Sequence, residues 1–265
     1  MGEKYHRLLE GLRACGSAVT AFSGGVDSSL VAFLSHRELG ARALAVTSAS
    51  ASLSRDDLAL TRRLAAAWGM AHRLIETDEL SDPRYAANPT DRCYFCKTTL
   101  YARLRELAAA GGYAVLLNGT NADDLREHRP GLRAAAEHGV RAPLAECGLT
   151  KADVRALAAH LGLDNADKPQ AACLSSRVPY GQPISADLLA RIDAAEALLR
   201  RLGFAQLRVR SHGDVARIEV PTQDFAQVLA RRAQIDAKLR ALGYRYVTLD
   251  LQGFRSGSLN EGLAL

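Results

Sequence analysis

At 265 residues, with 48% apolar and 24% charged side chains, the chain has a globular protein's balance and enough length for one large core or two modest ones. No run approaches the roughly 20 consecutive apolar residues that span a bilayer, and the N-terminus MGEKYHRLLEGLRACG lacks the apolar segment of a signal peptide, so a cytoplasmic protein with no membrane partner is expected. The net charge of +5 is carried largely by arginine. It reads as a solvated basic surface ahead of a nucleic-acid platform, and guanidinium forks suit small phosphate or carboxylate ligands.

In chain order, residues 4–14 read as a short helix and 18–22 (AVTAF) as a buried strand. An amphipathic helical run over about 28–39 ends at Gly40, followed by ARALAVTS (strand), RDDLALTRRLAAAWG (helix) and MAHRLIET (strand). KTTLYARLRELAAAGG then reads as a helix, YAVLLNGT as a strand, and TKADVRALAAHLGL as a helix with Thr150 at its N-cap. Apolar strands alternating with helices imply an α/β fold whose parallel sheet is covered on both faces, with ligands at the carboxyl ends of its strands. Ser23, Ser48, Asp78 and Gly119 should line that edge. Past about residue 180 the pattern becomes a helix (about 185–202), two short strands joined by HGD, a helix (about 224–242) and a strand, YRYVTLDL. A smaller α+β domain with an antiparallel sheet is expected over 181–265, after a larger domain over 1–180. The Pro- and Gly-containing stretch VPYGQPIS marks the link.

The stretch VTAFSGGVDSS places two glycines between a strand and a helix. Gly24 and Gly25 let successive backbone N–H groups turn toward one anion at the positive end of a helix, while Ser23, Ser28 and Ser29 add hydroxyl donors. Asp27 would repel phosphate if it faced it, so it is expected to hold the loop or a Mg²⁺. The lysine of a Walker loop is missing, which fits chemistry at the α-phosphate of ATP with pyrophosphate leaving.

AFSGGVDSS resembles the PP-loop of the adenine-nucleotide alpha-hydrolase (HUP-like) superfamily, supported by NGTNADD at 118–124 and LTKADVRALAAHLGL at 149–163. Within it the chain resembles, almost end to end, the LarE family of pyridinium-3,5-biscarboxylic acid mononucleotide sulfurtransferases. The motifs that carry this are RCYFCK (92–97), REHRPG (126–131), CLSSRVPYG (173–181), RVRSHGDVARIEVP (208–221) and LGYRYVTLDLQGFRSG (242–257). The resemblance implies an ATP- and Mg²⁺-dependent enzyme that adenylates a carboxylate of a small mononucleotide and replaces AMP with sulfur. Residues 23–25 and 27–29, Ser48, Gly119 and Asp124 are the expected ATP-binding positions. A tRNA thiolase of the same superfamily is the rival reading; it would normally need a recognisable RNA-binding appendage, and the sequence shows no flanking zinc ribbons.

Five cysteines are an odd number for a chain expected in a reducing compartment. Cys93 and Cys96, immediately before a predicted helix, and the distant Cys173 suit soft metals. Zinc would want a fourth ligand, whereas three thiolates can hold a [4Fe-4S] cluster with one iron open. The family includes a cluster-binding kind with three cysteines and a kind that sacrifices one cysteine's sulfur; this pattern resembles the first, with zinc and sacrifice left open. Cys15 and Cys147 receive no role.

The resemblance further implies that Arg177, Arg208 and Arg210 bind the anionic substrate and that Cys173, Lys97 and Ser176 lie near the reaction. It also implies assembly into trimers or hexamers. Glu196, Glu219 and Asp224 match acidic positions that in the family lie near subunit contacts or metal, yet by sequence alone each reads as a surface carboxylate.

Overall fold

In three of the first four strands, alternate residues sort into two largely apolar sets. A computed structural model, which describes residues 2–126, 130–169, 172–255 and 258–260, shows where those sets go. Residues 127–129 of REHRPG and 256–257 of the last family motif lie outside the described residues. The chain divides into two units, one comprising Met1–Tyr85 and Asp91–Ala171, the other Ala86–Thr90 and Ala172–Leu265. The division thus falls ahead of the 180/181 boundary read from the Pro and Gly cluster. The reason is local: Gly181 N–H donates to the Asn88 carbonyl at 2.9 Å and Ile184 N–H to the Ala86 carbonyl at 2.8 Å, so the expected link is itself packed into the second unit.

The first unit holds β1 (Ala18–Ala21), β2 (Ala43–Ser48), β3 (His72–Ile75) and β4 (Val115–Leu117), all parallel, in the order β3-β2-β1-β4. Ala18, Ala43 and Leu117 join a core with helices Gly2–Ala14, Val26–Leu39 and Lys151–His160, while Ala45 packs with Leu64 and Ala65 of helix Arg55–Ala67. Val19, Leu44, Val46 and Leu116 pack with Tyr101, Leu104 and Ala108 of helix Arg92–Gly111 and with Ala134 and Ala135 of helix Pro130–Glu137. Period-2 side-chain alternation thus sends neighbouring residues to two faces, and helices bury both. The strand order reverses between β1 and β4, so the crevice at their carboxyl ends is the expected ligand position of such a sheet.

Helix Val26–Leu39 is not amphipathic, as its run of polar residues suggested. Ser28, Ser29 and Ser35 are buried along with Val26, Leu30, Val31 and Leu34, because Leu8 and Leu12 on one helix and Val154 and Leu157 on another share its core. Helix Lys151–His160 starts at a full capping box, with Thr150 Oγ1 accepting from Asp153 N–H at 3.2 Å and Asp153 accepting from Thr150 N–H at 3.1 Å. Lys4 closes this corner by donating to Asp153 at 2.9 Å and to the Gly148 carbonyl at 2.7 Å.

The second unit carries β5 (Arg208–His212), β6 (Val215–Glu219) and β7 (Tyr246–Leu249). The β5–β6 hairpin turns through Gly213, at φ 61°, and Asp214. Contrary to the expected antiparallel sheet, β7 pairs parallel to β6. The intervening helical stretch, broken at Arg231 into Phe225–Ala230 and Arg232–Ala241, serves as the crossover that a parallel pair requires. Val209, Ala216 and Ile218 pack on Ala195, Leu199, Ile235 and Leu239, which leaves Arg208, Arg210, Arg217 and Glu219 on the opposite sheet face. No helix among the described residues is long and apolar enough to cross a membrane.

Two outcomes follow from this packing. A Cβ at Gly119 would lie 2.5 Å from Ser28 N and 2.8 Å from Asp27 C; Gly119→Ala is therefore expected to lower stability by about 1–3 kcal/mol and to weaken nucleotide binding, read by thermal unfolding and ATP titration. The Asp153 carboxyl is held down at about 2, against an ordinary 3.8, first by Lys4 and then by Thr150 N–H. Its stabilisation is fully present above about pH 4 and lost as pH falls through about 2. Denaturant titrations across that window should show a shallower acid slope for Asp153→Asn.

Candidate functional site

The glycine loop sits where β1 ends and helix Val26–Leu39 begins. Gly24 has φ 71°, a left-handed conformation that favours glycine, and Gly25 is the N-cap without a side-chain cap. The Gly25 N–H donates to Ser23 Oγ at 3.4 Å, and the N–H groups that follow it in the first turn of the helix have no intrahelical partner. Ser28 Oγ accepts from Ser23 N–H at 3.2 Å, lies 3.0 Å from Ser23 Oγ and donates to the Gly25 carbonyl at 3.1 Å. The two hydroxyls therefore shape the loop from inside. Ser29 is fully buried, and its Oγ accepts from Asn165 Nδ2 at 2.8 Å while the same amide donates to the Gly24 carbonyl at 2.9 Å. Ser29 holds the loop rather than facing its mouth.

Asp27 accepts from Asn121 Nδ2 at 3.1 Å and from the Lys151 ammonium. Asp124 is drawn in through the same turn, accepting from Asn121 N–H at 3.0 Å, and Asp123 accepts from Lys151 N–H at 2.8 Å. A second lysine arrives from the other side. Lys168 Nζ donates to the Gly24 carbonyl at 3.3 Å and to Asp57 at 2.6 Å. Lys151, Lys168, Asn121 and Asn165 were all missed as site residues by sequence reasoning. Their only signal was membership of the polar stretches NGTNADD (Asn121), LTKADVR (Lys151) and LDNADK (Asn165 and Lys168).

Ser48, past β2, is held by Thr77, whose hydroxyl also donates to Glu79 at 3.1 Å; Ser52 donates to the same buried carboxylate at 2.7 Å. This hydroxyl–carboxylate network fixes the loop after β2 at the carboxyl edge.

Cys93 and Cys96 lie within the first turn of helix Arg92–Gly111, not before it. Non-local contacts extend the helix: Arg133 stacks 3.9 Å from the Tyr94 ring centroid and Tyr94 donates to Glu137 at 2.6 Å. The helical spacing puts both thiols on one face, with Cys93 exposed and Cys96 half-buried. Lys97 packs over the Tyr101 ring at 5.9 Å and near Gly131. Cys173, exposed, belongs to the second unit at the start of the turn Leu174–Arg177. Among the described residues no three His, Cys, Asp or Glu side chains gather as a metal site. Cys93 and Cys96, presented by one helical turn, are soft donors of the kind that iron–sulfur groups take.

In the second unit, Glu196 and Glu219 are fully buried, which corrects their reading as surface carboxylates. Arg177 forks onto Glu196 at 2.8 and 3.2 Å and donates to the Ala172 and Cys173 carbonyls and Ser176 Oγ; Arg200 and Val209 N–H complete the Glu196 shell. Arg210 forks onto Glu219 at 2.9 and 3.1 Å and donates to the Ser176 carbonyl and Ser258 Oγ. These bidentate pairs fix the turn that carries Cys173 and Ser176. Arg208 differs from both. It is buried, its hydrogen bond goes to the Arg255 carbonyl at 3.1 Å, and it stacks 4.7 Å from the Phe254 ring centroid. Burial and the adjacent Arg210 and Arg177 guanidinium groups hold its pKa down to about 10, as expected for a cation short of negative charge.

Residues 11–201 match the asparagine synthase family. An uncharacterized protein of Synechocystis sp. is 46% identical over 93% of this chain and 92% of its own length. The pyridinium-3,5-bisthiocarboxylic acid mononucleotide synthase of Lactiplantibacillus plantarum is 40% identical over 99% of this chain and 96% of its own. An uncharacterized protein of Methanocaldococcus jannaschii is 29% identical over 90% of each. With the lysine-free phosphate loop at the switch point of a parallel sheet and near-complete coverage of a synthase relative, the chain belongs to the LarE family of ATP-dependent sulfurtransferases within the PP-loop fold.

Proposed function

We propose that this protein adenylates a carboxylate of pyridinium-3,5-biscarboxylic acid mononucleotide and exchanges the adenylate for sulfur. The product is a thiocarboxylate on the way to the bisthiocarboxylic acid for which the L. plantarum relative is named. The observation that carries this reading is the loop at residues 23–28, a nest of N–H donors at a helix N-terminus with Gly119 packed against its first turn.

The substrate carboxylate oxygen attacks the α-phosphorus of Mg²⁺-bound ATP, and the bond to the bridging oxygen breaks to release pyrophosphate. The loop amides stabilise the charge that develops on the leaving group. A sulfur nucleophile then adds to the acyl carbon and AMP departs, so an oxide leaving group has been traded for a phosphate ester. Arg208 supplies a buried cation for an anionic group of the substrate. Arg177 and Arg210 hold the turn with Ser176 and Cys173, through their glutamate pairs.

Cys93, Cys96 and Cys173 would hold a [4Fe-4S] cluster, which supplies an open iron site for an extra sulfide when bound. Lys97, directly after the cysteine pair, would neutralise charge on the acyl-adenylate. Assembly as a homotrimer or hexamer belongs to the same reading and is checked by light scattering.

The adenylation reading is tested by mixing the purified protein, ATP, Mg²⁺ and the dicarboxylate mononucleotide. Pyrophosphate release that requires the mononucleotide is expected; its absence with cluster-loaded protein under anaerobic conditions overturns the reading. For the sulfur source, anaerobically purified protein should contain about four iron and four sulfide per chain, and Cys96→Ser should lose them. Iron-free protein whose cysteine loses the mass of hydrogen sulfide during turnover would identify cysteine sacrifice instead.

A further inference from the structure

Tyr101 is 2% exposed and sits among Leu104, Leu116, Ala134 and Ala135, in the apolar layer between the sheet and helices Arg92–Gly111 and Pro130–Glu137. A phenol in such surroundings loses the water around its hydroxyl, and a hydrogen-bond partner must offset that loss. The partner is Asn118, the buried residue that follows β4, whose Nδ2 donates to Tyr101 Oη at 3.3 Å.

The other end of the same amide is committed too. Asn118 Oδ1 accepts from Thr120 N–H at 3.0 Å, the local bond of an Asx turn, while the Asn118 N–H donates to the Arg141 carbonyl at 3.0 Å. The side chain is thus a brace across Gly119, where a missing Cβ lets the chain lie against Asp27 and Ser28. An amide bonded at both its oxygen and its nitrogen has one orientation, and Tyr101 supplies the bond on the nitrogen side.

The ring has a neighbour of a different kind. Lys97 Nζ lies over it, 5.9 Å from the centroid. The Lys97 stem is confined as well, since a Cβ at Gly131 would stand 3.1 Å from Lys97 Cγ. Residues 93, 97 and 101 follow at four-residue steps and share one face of helix Arg92–Gly111. The side chain that braces Gly119 therefore also carries the ammonium one turn beyond Cys93.

We propose that Tyr101 is a positioning residue for adenylation, acting through two others: its hydroxyl holds the Asn118 brace behind Gly119, and its ring seats the Lys97 ammonium. One buried side chain thereby sets the cysteine-bearing helix and the turn after β4 in a fixed relation. The inference rests on the adenylation reading above and adds a residue which that reading does not use.

The test follows pyrophosphate release by the full-length protein at varied ATP and saturating dicarboxylate mononucleotide, with thermal midpoints recorded alongside. Tyr101→Phe keeps the ring and deletes only the acceptor, so KM for ATP should rise about fivefold, the loss of one hydrogen bond, with a much smaller change in kcat. In an Asn118→Ser background the same substitution should change KM by less than about twofold, because the brace is already gone. Tyr101→Leu removes the ring as well and should lower kcat about fivefold below Tyr101→Phe, a difference that should shrink to less than about twofold once Lys97 is replaced by Met. An unchanged KM in Tyr101→Phe, equal KM effects with and without Asn118, or equal kcat in the Phe and Leu variants would overturn the inference. So would losses in KM and kcat that simply track the thermal midpoint across all variants. Should Tyr101→Leu not fold, Tyr101→Met takes its place. Wild-type protein that releases no pyrophosphate overturns the adenylation reading itself, whereas release with additive Tyr101 and Asn118 effects overturns only this inference.

Discussion

Close approach of backbone to backbone at the end of β4 governs this site. Gly119 lies against the first turn of helix Val26–Leu39 with no room for a side chain, so the turn after β4 can bring Asn121 and Asp124 up to Asp27. That juxtaposition backs the strand–helix connection with polar side chains. Strand order supplies the crevice, glycine supplies the proximity, and the polar residues of residues 118–124 supply the fastenings. The loop glycines alone would give exposed N–H groups without a wall behind them.

Charge is distributed differently in the two units. In the first, carboxylates and ammonium groups around the loop are part-exposed and paired one to one. In the second, Glu196 and Glu219 are each fully buried and surrounded by two guanidinium groups. Removing such charges from water is costly, and the cost is offset only where the pairs are bidentate and the remaining lone pairs are satisfied. Both glutamates meet that condition, and both hold the turn Leu174–Arg177. The arrangement makes the geometry of that turn depend on buried ion pairs rather than on apolar packing alone.

Much of this was legible in the sequence because the signals are local. The period-2 strands, the glycine pair before Asp-Ser-Ser and the Thr150–Asp153 capping box are each decided within a few residues. What was not legible depends on distant partners. The helix at Arg92 begins a turn early because Tyr94 finds Arg133 and Glu137. The buried glutamates looked like surface charges because a carboxylate on a helix or strand is ordinarily solvated, and nothing local announces two arginines waiting for it. Strand β7 was read as antiparallel from its hairpin neighbours, whereas the intervening helical stretch returns the chain in the other direction. Lys151 and Lys168 escaped notice for the same reason: a lysine in a helix start or a polar loop carries no mark of the loop it touches.

The excursion of residues 86–90 has a consequence for how this protein can be cut or inherited. The chain leaves the first unit, contributes Asn88 to the second through its carbonyl and side-chain amide, and returns to complete the first. A fragment ending at residue 171 would keep that short visitor but lose the N–H donors of Gly181 and Ile184 and the carbonyl acceptors of Pro179 and Gln182 that satisfy it within the fold. Neither unit is a contiguous gene segment, so the pair must be duplicated, shuffled or expressed as a whole.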